Sequence, residues 1–175
     1  MPSLRFPIAC AIITLCVVGA ATQAGIADTI HTWVPGNVSL PLPRGAVFAG
    51  LDPDWYNIYV GRLHPANNGV YPAKIKLPTG AIYLAGTTSK YWTKSYDILI
   101  ATDGRSYEWV RSFDGHLERN AVSVGTSSSG ERVYICRVLL DGAVVMGNLF
   151  GQSRVCAAKH DSYVESDKYE VLVEV

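Results

Sequence analysis

The sequence predicts an all-β fold in which two tandem copies of one short-strand unit pack into a single compact, pseudo-symmetric antiparallel body, sandwich-like or barrel-like. Three observations carry this expectation. Apolar residues make up 49% of the chain, with ten Tyr and four Trp, and sixteen Gly and nine Pro punctuate the apolar runs, the composition of strands and turns. Beyond the first 27 residues, no window long enough for a helix sustains a 3.6-residue apolar period. The third observation is a duplication. The segment starting at Trp33 and the one starting at Trp109 repeat the same elements in the same order, with an offset of 76 at Trp33/Trp109 and 73 at Tyr96/Tyr169.

The N-terminus carries the pattern of a secretory leader. A short basic start, Met1 to Arg5, precedes an apolar run from Ile8 to Ala20, and small residues follow at Ala20 to Ala24. The expected leader is 1–24, with cleavage after Ala24, or at Ala20 or Ala27. A membrane anchor is the alternative, but the 13-residue run falls short of the ~20 residues a span requires. Losing Arg5 with the leader leaves 14 basic against 15 acidic residues, a net charge of −1. A near-neutral surface excludes the basic stripe that nucleic acid demands, and no membrane partner is expected after leader removal.

The first repeat spans 32–104. Trp33-Val34 opens it, and Asn37-Val38-Ser39 forms a glycosylation sequon in a Pro/Gly-rich stretch. Gly50 to Lys74 then reads as turn, strand, turn, strand. The acidic turn is Asp52-Pro53-Asp54, the strand is Ile58 to Arg62, the second turn is Asn67 to Gly69, and the next strand ends on Lys74. That order can bring an acid and a lysine to one end of a sheet. A basic-aromatic loop, Lys90 to Lys94, follows, and Tyr96 to Ile100 closes the unit. Residues 101–108, with a turn at Asp103-Gly104, are too short for a flexible linker, so one body is expected rather than two beads.

The second repeat spans 107–175, with Tyr134 to Arg137 matching Tyr59 to Arg62, and Gly125 matching Gly50. Trp33, Trp109, Tyr59, Tyr134, Tyr96 and Tyr169 recur in both copies, which favours packing over ligand contact. Arg62 and Arg137 recur too, and a structural pairing with carboxylates is the expectation for them. Cys136 and Cys156 remain once Cys10 and Cys16 leave with the leader. They either form one bridge, closing a loop of roughly 21 residues at about 3 kcal/mol, or stay as two buried thiols.

These residues, Trp33-Val34, Gly45-Ala46-Val47, Ala49-Gly50, Ile58 to Arg62, Pro72-Ala73-Lys74 and Tyr96 to Leu99, resemble the DM-nine repeat family, and the second round fits it again. The resemblance covers about residues 32 to 175. It implies an all-β two-repeat domain and, from characterised relatives, a mannose-type lectin of invertebrate innate immunity, with a homodimer among its expected states. Its partners would be mannose-type glycans on a glycoprotein or microbial surface. Carried over by motif, the implied sugar-holding residues are Asp52 or its neighbour Asp54, and Lys74. In the second repeat the matching positions are Ser127 to Gly130 and Asn148, without charge. Trp55-Tyr56 stands where a Gly is usual.

The chemistry is sound for a hexose. A carboxylate accepts from vicinal hydroxyls, an ammonium donates, and such charge-assisted bonds are the stronger kind. Trp55, Tyr56 or Tyr71 would cover the C–H face of the ring. Without the resemblance, the acids are ordinary turn residues and Lys74 a solvated lysine. Catalysis, metals and cofactors are not expected. His31, His64, His116 and His160 lack zinc-ligand spacing, and there is no Gly-x-Ser-x-Gly elbow. The alternative function is a non-catalytic structural or protein-interaction module of the same fold without a sugar site.

Overall fold

Strands and turns account for the described residues, with no helix among them. The computed structural model describes residues 24–65, 69–76, 80–83, 92–102 and 104–175. Residues 1–23 of the leader, the turn residues 66–68, Asp103, and Lys90 and Tyr91 of the Lys90 to Lys94 loop lie outside that set. The first repeat supplies β1 (Trp33–Asn37), β2 (Phe48–Leu51), β3 (Asn57–Leu63), β4 (Tyr71–Lys76), β5 (Gly80–Tyr83), β6 (Trp92–Thr93) and β7 (Ser95–Leu99). The second supplies β8 (Tyr107–Phe113), β9 (Ser123–Thr126), β10 (Arg132–Leu140), β11 (Ala143–Phe150), β12 (Cys156–Lys159), β13 (Tyr163–Ser166) and β14 (Lys168–Glu174).

The two sheets have the same wiring. The first runs β1-β7-β3-β4-β5-β6 with β2 beside β3, and the second runs β8-β14-β10-β11-β12-β13 with β9 beside β10. Every pairing is antiparallel. The sheets stay open at their edges and pack face to face, with β4 against β9, β10 and β11, and β2 against β11. Between them lies one core, built from Ile58, Val60 and Leu99 of the first repeat and Val133, Ile135, Met146 and Leu172 of the second. Fully burying one such side chain stabilises by about 1.5–3 kcal/mol. The outer faces have their own apolar layers. Tyr71, Ala73, Ile75 and Ile98 lie under the loop carrying Val38 and Leu42, and Cys136, Cys156, Leu149 and Tyr169 lie on the other sheet. Cys136 and Cys156 are joined there as a disulfide between β10 and β12.

Two arginines tie the repeats together. Arg62 on β3 donates from Nε to Asp97 Oδ2 at 3.0 Å, and its Nη1 reaches the Asp28 and Val124 carbonyls at 2.8 and 3.3 Å. Its guanidinium lies over the Trp33 ring, 4.5 Å from the centroid. Arg137 repeats the arrangement from the other side. It pairs with Glu170 at 2.6 Å, donates to the Ala49 carbonyl and sits 4.4 Å over Trp109. Val124 and Ala49 each precede a bulge glycine, Gly125 (φ 143°) and Gly50 (φ 130°). At both, the β2–β3 or β9–β10 register slips. A Cβ on Gly50 would come within 2.5 Å of Val144 Cγ2 across the interface, so only glycine lets the sheets approach there.

The segment before β1 joins the second repeat rather than its own. Ala27 bridges Gly125, and Asp28 N donates to Val124 O at 3.0 Å. Burial alone would raise the Asp28 carboxyl. Bonds from the His31 side chain and backbone and from Trp33 Nε1, with the His31 charge, outweigh it and hold the carboxyl down at about 2.

Truncating either arginine removes a donor from a carbonyl of the opposite repeat and from a carboxylate of its own. Arg62→Ala and Arg137→Ala should each lower the unfolding free energy in urea by about 2–4 kcal/mol. Lysine at either position restores less than half, because it lacks the planar fork that both bonds and stacks. Equal stability of the Lys variants and wild type would contradict this assignment.

Candidate functional site

The acidic turn is organised by one side chain. Asp52 N donates to Tyr56 O at 3.0 Å and Trp55 N to Asp52 O at 2.8 Å, closing the loop between β2 and β3. Inside the loop, Asp52 Oδ1 accepts the backbone N–H of Asp54 at 3.1 Å and of Tyr56 at 3.0 Å, as short acidic side chains do in turns. Asp52 Oδ2 points the other way, towards β4. Side chains alternate along a strand, so Lys74 and Lys76 share the inner face of β4, in register with Val60 and Ile58. Lys76 Nζ lies 3.1 Å from Asp52 Oδ2 and 2.7 Å from Asp54 Oδ2, and Lys74 Nζ lies 3.5 Å from Asp52 Oδ2. The Lys76 ammonium also sits 4.1 Å over the Tyr56 ring.

The cluster is graded from inside to outside. Asp52 is fully buried and Lys74 and Lys76 nearly so, whereas the Asp54 side chain is 54% exposed. Burial pushes the Asp52 carboxyl up, but the Tyr56 N–H and the two ammoniums override it and hold the carboxyl below its ordinary value. Burial pushes the Lys74 ammonium down, with Asp52 pulling against it. For Lys76, burial is outweighed by the bonds to Asp54 and Asp52, and its value is raised. Asp54 is lowered chiefly by its bond to Lys76, with a smaller contribution from His160 on the turn between β12 and β13.

The second repeat keeps the loop and loses the charges. Ser127 N donates to Glu131 O at 2.8 Å and Gly130 N to Ser127 O at 3.0 Å, while Ser127 Oγ accepts Ser129 N at 3.3 Å. These match three of the four bonds of the Asp52 loop, with Ser127 in place of Asp52 and Gly130 (φ 83°) in place of Trp55 (φ 64°). Register places Asn148 opposite Ile135 and Phe150 opposite Val133, the counterparts of Lys74 and Lys76.

Asp52, Asp54 and Lys74 thus converge as the motif implied, and Trp55 and Tyr56 lie on the same loop, 70% and 44% exposed. Tyr71 does not belong with them and is a correction. It lies three positions before Lys74, an odd offset, so it points to the opposite face of β4 and is buried against Leu63 and Ile98. Lys76 is the residue that sequence reasoning missed. Its signal was the two-residue spacing from Lys74 in Tyr-Pro-Ala-Lys-Ile-Lys, which puts both ammoniums on one face. Asn37 ends β1, and its Oδ1 accepts both Ser39 N at 3.0 Å and Ser39 Oγ at 2.8 Å. The described residues contain no group of three or more metal-ligating side chains.

Fold and site define a duplicated all-β module of the lectin-like or interaction class, with one charged cluster held at the first repeat's turn. The chain belongs to the DM9 repeat family, whose model matches residues 52–164. Among solved structures, that of the nematode sperm cell motility protein MFP2B superposes with a TM-score of 0.63 at 15% identity, over 87% of this chain and 47% of that one. The chain thus spans about half the length of that protein, and the likeness is one of fold. Comparison with curated proteins gives no sequence match.

Asp52→Asn would turn an amide N–H₂ towards two ammoniums while keeping the loop's acceptor. It should cost about 2–4 kcal/mol at pH 7. Because the folded-state value is depressed, the contribution is full above the ordinary carboxylate pKa of about 4 and is lost as pH falls through the folded value. The gap between wild type and variant in urea unfolding should therefore narrow below pH ~4. A gap of constant size from pH 7 to 3 would contradict the assignment.

Proposed function

We propose that this protein is an exported, non-catalytic carbohydrate-binding module that recognises mannose-type glycans at cell or microbial surfaces. The observation that carries the reading is the cluster itself. One repeat of two keeps two carboxylates and two ammoniums within bonding distance of one another, and the cluster reaches solvent at Asp54 beside exposed aromatic rings. Asp54 accepts from sugar hydroxyls at the surface, while Asp52, Lys74 and Lys76, buried beneath, hold its carboxylate in place. Membership of the DM9 repeat family supports the reading, because its lectin members are implied to use these motif positions. Export is supported by the leader pattern, the Asn37 sequon and the Cys136–Cys156 bridge.

A second reading, a protein-interaction or structural module without a sugar site, is favoured by the burial of Asp52 and Lys74. The two readings part on a glycan array. The purified chain should bind mannose-terminated glycans with weak single-site affinity that multivalent display strengthens. Asp54→Asn and Lys76→Met should each reduce the signal about ten-fold, the equivalent of one lost charge-assisted bond, with the fold checked by circular dichroism. No signal on any glycan would leave the interaction module as the surviving reading.

A further inference from the structure

We propose that Trp55 is a stacking platform for a pyranose ring and sets which sugars the first repeat accepts. The proposal rests on the carbohydrate reading above and deepens it. Trp55 sits at φ 64°, in the left-handed region that a bulky residue enters only under strain. The chain itself shows what this backbone position prefers. The second repeat builds the same loop with the same two backbone hydrogen bonds and places Gly130 there, at φ 83°. Gly would thus relieve the first loop at no cost in its hydrogen bonds. Packing does not explain the Trp either, because it is 70% exposed and the most exposed aromatic residue of the described set. A strained backbone that holds an indole out in water stabilises nothing in the isolated protein. The return comes when something covers the ring.

The neighbours say what that is. Trp55 lies between Asp54, whose half-exposed carboxylate binds Lys76, and Tyr56, whose ring carries the Lys76 ammonium. An apolar face beside an exposed carboxylate acceptor matches a pyranose, which has a C–H face on one side and vicinal hydroxyls along its rim. The Asp52 loop fixes the indole's departure point, since the N–H groups on both sides of Trp55 are bound to Asp52 Oδ1. The indole stacks on a C–H patch of the pyranose clear of its axial oxygens, because a hydroxyl pressed against the ring would lose its water without gaining a bond.

The test uses the full chain with methyl α-mannopyranoside and a high-mannose oligosaccharide, followed by calorimetry and tryptophan fluorescence. Trp55→Gly should weaken binding by ~10-fold or more while leaving the melting temperature unchanged or raised by about 2 °C. Trp55→Phe, which keeps a flat ring, should retain part of the affinity, and the emission shift that sugar produces in wild type should vanish in both variants. This opposition of lost binding and retained stability is not what a structural residue gives. If wild type binds sugar and Trp55→Gly binds equally well, the platform is overturned while the carbohydrate reading stands. Wild type that binds neither probe overturns both.

Discussion

The reciprocal arginine staple is the interaction on which the rest of the structure depends. Arg62 reaches from the first repeat to the Val124 carbonyl of the second, and Arg137 reaches back to the Ala49 carbonyl of the first. Each guanidinium is stacked on a Trp of its own sheet and neutralised by a carboxylate on the neighbouring strand. Burying a charge is expensive unless it is paired and bonded, and here each guanidinium has a carboxylate, a carbonyl and an aromatic face as partners. The geometry also explains the bulge glycines. The accepted carbonyl belongs to the residue before the bulge in both repeats, so the slip in register turns that oxygen out of its own ladder towards the partner sheet. A sheet that lacked its twin would expose both the core face and an arginine without its acceptor. The repeats are therefore halves of one folding unit, not neighbours.

Duplication separates scaffold from site. Whatever both copies share (the Arg, its Trp, its carboxylate and the bulge Gly) serves packing and assembly. The Asp52 cluster appears in one copy only. The second copy shows that the loop also closes around Ser127, whose hydroxyl takes one of the two N–H bonds that Asp52 Oδ1 takes. Charge at Asp52 is therefore not required by the turn. Nor is it required by β4, since β11 places Asn148 and Phe150 in the corresponding inner-face positions of the other sheet. Two buried lysines and a buried aspartate cost desolvation that an apolar replacement would avoid, which is the ordinary mark of a group kept for another purpose.

Much of the scaffold was legible in the sequence because it is written in local rules. Turn residues, alternating apolar runs and the repeat itself specify strand order and, through the order, the shared wiring of both sheets. The Arg–carboxylate pairing was legible for the same reason, since Arg62 and Asp97, like Arg137 and Glu170, recur at matched places. What stayed hidden depended on distance across the fold. Whether Cys136 and Cys156 could meet turned on how β12 lies relative to β10, which no spacing rule states. The burial of Asp52 and Lys74 is a property of β4 facing the second sheet, not of the turn. Tyr71 fell to the opposite face although strand alternation was enough to place it, and the same alternation points to Lys76.

The balance of charge in the cluster narrows the kind of ligand it suits. Two carboxylates face two ammoniums, and each ammonium lies within reach of an acidic oxygen, so the group is neutral as a whole. An incoming anion would have to displace Asp54 from Lys76 and would meet Asp52 behind it. A cation would have to displace Lys76 from two carboxylates. An uncharged polyol needs neither exchange, because each hydroxyl both donates and accepts. It can add to Asp54 on its exposed side while the Lys76 bond persists. Neutrality at the surface, with the charges fixed from beneath, therefore suits the cluster better to a hydroxyl-rich ligand than to a charged one.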